Sequence, residues 1–114
     1  MFSLSSSHRY LLYSQPTDMR KSFDALCGLV RNELKRDPLS GEVFIFLNRG
    51  RTHLKLLHWE NGGLVLYYKR LEKGTFAPPS TQTNHFITWT QLVLLTEGII
   101  IKKSTQKPRW NVDK

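Results

Sequence analysis

The groups in this chain that could do acid–base, nucleophilic or metal chemistry are nine carboxylates, four histidines and one cysteine. Their spacing assembles no catalytic pattern. Two-metal cleavage of a phosphodiester needs several carboxylates converging on one point, whereas the acids here are scattered singly from Asp18 to Asp113. Asp24 sits near a helix start, Glu33 at its end and Asp37 before a proline, positions that capping and solubility explain. His53 and His58 are an odd number of residues apart and so point to opposite faces of a strand. With Cys27 alone, no second thiolate is available for zinc. Cys27 itself falls on an apolar helical stripe, where a thiol belongs to the core. Neither a Gly-x-Ser-x-Gly elbow, a phosphate-binding Gly-x-x-x-x-Gly-Lys loop nor a dinucleotide fingerprint is present, and Gly62-Gly63 is explained by a hairpin turn. No catalytic residue, metal or cofactor is expected, and the chain is not expected to be an enzyme.

What remains is basic and aromatic. Seventeen Lys and Arg against nine Asp and Glu leave a formal charge of +8, which attracts phosphate-rich polymers or acidic proteins. The cations group as Arg20-Lys21, then Arg49, Arg51 and Lys55, then Lys69, Arg70 and Lys73, with Tyr67 and Tyr68 beside the last set. Cations offer phosphate contacts and rings offer stacking. Arg20, Lys21, Arg49, Arg51, Lys55, Tyr68, Lys69, Arg70 and Lys73 are therefore the candidate nucleic-acid-binding residues.

These groups are positioned by elements that the pattern of apolar residues predicts. Tyr10 to Tyr13 has strand composition and is stopped by Gln15-Pro16. Phe23, Leu26, Cys27, Val30 and Leu34 form one helical stripe, with Ser22 or Asp18 as cap and Lys35, Arg36 and Asp37-Pro38 at its end. Val43 to Leu47 and Thr52 to Trp59 read as strands around an Asn48-Arg49-Gly50-Arg51 turn. Asn61-Gly62 predicts a tight type I′ hairpin into a strand from Gly63 to Lys69. A two-residue loop then sets Trp59 opposite Leu64, Leu57 opposite Leu66, Lys55 opposite Tyr68 and His53 opposite Arg70, all on one face. Both faces are apolar near the turn, which predicts a sheet covered on both sides or a self-association surface; Trp59, Leu64 and Leu66 are the candidate partner-binding residues. Thr88 or Thr90 caps a short helix through Leu92, Leu95 and Glu97, ended by Gly98.

The expected fold is α+β: a small antiparallel sheet with a central hairpin, packed by one long and one short helix. One core fits a chain of this length, over roughly residues 9–101, with residues 1–8 a flexible start and 102–114 a basic, flexible tail. The single cysteine fits a reducing cytoplasm, and no run approaches the ~20 apolar residues of a membrane span.

At these same residues the sequence resembles the TnpB-type accessory proteins of the insertion sequence sixty-six transposons. The likeness runs over Pro16-Thr17-Asp18-Met19-Arg20-Lys21-Ser22-Phe23-Asp24, then Arg36-Asp37-Pro38-Leu39-Ser40-Gly41-Glu42-Val43-Phe44-Ile45-Phe46, and from Lys55-Leu56-Leu57-His58-Trp59 through Leu66-Tyr67-Tyr68-Lys69-Arg70-Leu71-Glu72-Lys73-Gly74. The resemblance implies a cytoplasmic, non-catalytic role in transposition beside TnpA and the large transposase TnpC, with cutting and joining expected in TnpC. DNA at the transposon ends is the expected ligand, bound directly or bridged to the transposase. The alternative is a module that assembles or regulates the transposase without touching DNA.

Overall fold

The computed structural model describes residues 4–98; the tail expected at 102–114 lies outside them. Seven elements follow in order: β1 (Tyr10–Leu12), α1 (Phe23–Asn32), β2 (Val43–Leu47), β3 (His53–Glu60), β4 (Gly63–Arg70), β5 (His85–Ile87) and α2 (Trp89–Glu97). The five strands form one sheet in the order β4-β3-β2-β1-β5.

The α+β class stands, with two differences from expectation. The sheet is mixed, because β1 runs parallel to β2 while every other pairing is antiparallel. A parallel neighbour cannot be reached by a tight turn, so the chain crosses over through α1. The helices are also of nearly equal length, ten and nine residues. The first ends at Asn32 because the chain reverses through Lys35, whose φ is 58°, and the Arg36 N–H donates to the Val30 carbonyl at 3.0 Å. Leu34 stays buried beyond the helix, whereas Phe23, at its first position, is 41% exposed. Ser22 takes the N-cap position without a side-chain bond. The other candidate cap, Asp18, instead accepts from the Arg20 backbone N–H at 2.9 Å.

Strand alternation divides the core between the two faces of the sheet. Tyr10, Leu12, Val43, Ile45, Leu47, Leu54, Leu56 and Ile87 pack with Leu92 and Leu95 of α2. Leu11, Tyr13, Phe44, Phe46 and Leu57 pack with Leu26, Cys27 and Val30 of α1. β2, buried at all five positions, is thus apolar throughout because both of its faces are covered.

The β3–β4 hairpin follows its sequence closely. Asn61 and Gly62 have φ of 49° and 85°, as a type I′ turn demands, and Trp59 pairs with Leu64, Leu57 with Leu66, Lys55 with Tyr68 and His53 with Arg70. β5 carries no comparable signal: three residues after a polar Pro-rich stretch form an edge strand by pairing with β1. At α2, Thr88 and Gln91 make a capping box, each side chain satisfying the other residue's amide.

Candidate nucleic-acid interface

The basic groups are gathered by the loops at one end of the sheet, where β2 ends, β3 begins and β4 ends. Asn48 shapes the β2–β3 turn: its Oδ1 accepts from the Thr52 and His53 backbone N–H groups at 2.8 and 3.0 Å. Arg49 is exposed on that turn, and Arg51, held at φ 56°, donates from Nη2 to Thr81 Oγ1 at 3.1 Å. The segment following β4 is tied to the same place, since the Leu71 N–H donates to the Thr52 carbonyl and the Phe76 N–H to the Arg51 carbonyl, at 2.9 and 2.7 Å. Lys73 is exposed within it. From the other side, the Thr17 N–H donates to the Leu47 carbonyl at 2.8 Å, bringing in the segment that carries Arg20 and Lys21. Between these loops lies an open concavity of about 520 Å³ walled by residues 16–19, Asn48, Arg49, Gly50 and His53.

Two acids at this end, Asp18 and Glu72, are each paired with an arginine. Asp18 holds the exposed Arg20 guanidinium through bonds of 2.6–3.1 Å, and these bonds pull its carboxyl down to about 2. Glu72 accepts from Arg70 Nε at 2.9 Å. Both pairs are exposed, and such pairs yield readily to a competing anion.

Two cations are placed differently from the rest. Lys55 is 5% exposed; its Nζ donates to the carbonyls of Met19 and Lys21 at 2.8 and 2.6 Å and lies 4.6 Å from the centre of the Tyr68 ring. It pins the segment before α1 onto β3. Lys69 faces the opposite side of the sheet and donates to the Thr96 carbonyl at 2.7 Å, where a cation suits the negative end of α2. Tyr68, 52% exposed, stands on the α1 side beside His53, their ring centres 6.0 Å apart.

Trp59, Leu64 and Leu66 lie at and near the hairpin turn, away from the basic end, and are half-buried. Leu64 and Leu66 pack on the α1-side core. On the other face Val65 is 43% exposed, and β4 is an edge strand, paired only with β3.

Several organising residues were not among the candidate site residues. Glu42, 8% exposed, accepts from Arg36 Nε and Nη2 at 2.9 and 2.7 Å and from Ser40 Oγ at 3.2 Å, with Arg9 at 3.5 Å. Asp37 Oδ1 accepts from the Leu39 N–H at 2.9 Å. The stretch from Arg36 to Glu42 is therefore a structural clamp at the entrance of β2. His58 is buried beside His8, with a ring separation of 4.9 Å, and burial holds its pKa below the ordinary 6.5. Among the described residues no three His, Cys, Asp or Glu side chains are grouped to hold a metal, and no helix is long and apolar enough to cross a membrane.

The fold thus defines a small α+β protein whose two helices cover opposite faces of one sheet, with Arg49, Arg51, Arg70 and Lys73 exposed where β2 ends, β3 begins and β4 ends. Residues 8–106 match the family described as IS66 Orf2 like protein. The chain belongs to that family, which carries an accessory role in transposition. It is 29% identical over 109 residues to the uncharacterized protein y4jC of Sinorhizobium fredii, covering 95% of this chain and 93% of that one. It is 38% identical over 84 residues to the uncharacterized protein y4hO of the same organism, covering 73% of each. No solved structure gives a significant match.

Proposed function

We propose that this transposition accessory protein binds DNA through the basic end of its sheet, using Arg20, Lys21, Arg49, Arg51, Arg70 and Lys73. The observation that carries the reading is the gathering of these side chains from three separate segments onto one end, where the neighbouring acids Asp18 and Glu72 are each held by an arginine. Lys55 acts behind this surface, anchoring the segment that carries Arg20 and Lys21, while Lys69 ties β4 to α2 on the other face. The natural ligand in this role is transposon-end DNA.

The half-buried Trp59, Leu64 and Leu66, with the unpaired edge of β4, lie toward the opposite end of the hairpin. An eight-residue strand spans about 25 Å, so DNA at one end leaves the other free for a protein. We assign that end to the transposase TnpC, or to TnpA, making the protein a bridge. The chemistry of strand cutting belongs on this reading to the transposase.

The test is a salt series of duplex DNA binding for the natural protein and Arg49→Glu/Arg51→Glu. Each phosphate contact contributes about 0.9 to the slope of log affinity against log salt, so loss of two contacts lowers the slope by about 2. An unchanged affinity and slope in a folded double variant would remove these residues from the interface.

A further inference from the structure

We infer that the basic end takes an unpaired nucleotide, its base stacked on the ring of Tyr68 and its flanking phosphates on the surrounding cations. This rests on the nucleic-acid reading above and specifies its substrate: single-stranded or locally opened DNA.

Tyr68 is the observation behind it. The adjacent Tyr67 turns to the other face and packs against the α2-side core, whereas Tyr68 leaves 52% of its surface exposed. The core does not need this ring, yet the ring is held in place. Lys55 Nζ sits 4.6 Å from its centre, and the bonds that this ammonium donates to the Met19 and Lys21 carbonyls fix it there. Among the described residues no carboxylate forms an ion pair with Lys55, so its charge is left to raise the local positive potential. A ring steadied by a cation on one side and exposed elsewhere is a stacking platform.

The surroundings fit a nucleotide rather than an apolar peptide. His53, 6.0 Å from Tyr68 between ring centres, lines the concavity that also bears Arg49, and it pairs across the strands with Arg70. A polynucleotide laid on this end meets cations on either side of an exposed ring. Only a base whose face is free can stack there, because in a continuous duplex both faces of each base are occupied by its neighbours. Lys55 is on this account a positioning residue that orients Tyr68 without touching the ligand.

The experiment measures binding of the full chain to a fluorescein-labelled single strand of mixed sequence, about 20 nucleotides long, and to the matching duplex, by fluorescence anisotropy. Natural protein, Tyr68→Leu, Tyr68→Phe and Arg49→Glu are compared, each confirmed folded by circular dichroism. The expected result is tighter binding of the single strand, a loss of about 5–150-fold on that ligand for Tyr68→Leu, and restoration by Tyr68→Phe, which keeps the ring. The salt slope stays unchanged in Tyr68→Leu and falls in Arg49→Glu. Equal loss on single strand and duplex, or no loss on either, overturns the stacking inference while leaving DNA binding in place. If the natural protein binds neither DNA but Tyr68→Leu weakens its capture of purified transposase, the ring serves a protein contact, and both the inference and the DNA reading fail.

Discussion

Replacing Lys55 by methionine separates a structural cation from a DNA-contacting one. Methionine keeps the unbranched apolar stem but cannot donate to the Met19 and Lys21 carbonyls, which now receive bonds of 2.8 and 2.6 Å. A hydrogen bond from a charged donor contributes about 1.5–3 kcal/mol, so two give a gross loss of about 3–6 kcal/mol. Removing a 5%-exposed ammonium also relieves its desolvation, and both carbonyl-bearing residues are only half-buried, so water recovers part of the loss. The net destabilisation is then about 2–3 kcal/mol. With a denaturant slope of about 1–3 kcal/mol/M, the urea midpoint of Lys55→Met falls by about 0.7–3 M. Measured where the variant is still folded, duplex binding loses no phosphate contact of Lys55 itself, and any change in its salt slope accompanies the fall in midpoint, through the loosened segment that carries Arg20 and Lys21. A midpoint within the error of the natural protein, together with a salt slope reduced by about 1, would refute the assignment and return Lys55 to the DNA contacts.

Four further expectations concern the frame. Arg36→Ala strands the buried Glu42 carboxylate, with Arg9 as a partial substitute, and should cost about 2–4 kcal/mol in urea unfolding; a loss below about 0.5 kcal/mol would make the clamp incidental. Arg36 holds the Glu42 carboxyl below its usual value, so its contribution is complete above the unfolded carboxylate range, near pH 4.5, and is lost as pH falls through the lowered value; Glu42→Gln should flatten that part of the stability–pH curve. His58, whose pKa burial lowers, contributes stability above pH 6.5 that declines on acidification through its lower folded value, and an NMR titration finding it at or above 6.5 would contradict this. Gly98 has φ 77° and ψ 170°, and an added Cβ would stand 2.7 Å from Leu71 Cδ1, so Gly98→Ala should lower stability by about 1–3 kcal/mol.

Local chemistry explains which parts of the fold were legible in the sequence. The Asn61-Gly62 turn fixed the hairpin register, and with it the facing of Lys55, Tyr68, His53 and Arg70, because side-chain direction alternates strictly from a known turn. Thr88, one of two candidate caps with Thr90, and Gly98 likewise announced α2, whereas the part of Gln91 in the capping box emerged only from the structure. The parallel β1–β2 pair and β5 were not legible, since both depend on contacts between distant segments and β5 is too short to show a period. The same non-locality hid the fate of Lys55. Alternation gave its face, but its burial comes from residues 19–21 folding over β3. The block from Arg36 to Glu42, matched as family sequence, proved to be a clamp whose parts meet across the turn from Asp37 to Gly41.

The most direct test of the basic end as the DNA-binding surface is a comparison of two charge reversals of equal size. Arg49→Glu/Arg51→Glu lies within it, and Arg31→Glu/Lys35→Glu lies on α1 and the turn leaving it, among exposed residues. Binding to transposon-end DNA is measured for both across a salt series. The first variant is expected to lose affinity and lower the salt slope by about 2, while the second stays close to the natural protein. Equal losses in the two variants would show that net charge alone draws the protein to DNA, and would contradict a defined interface at this end of the sheet.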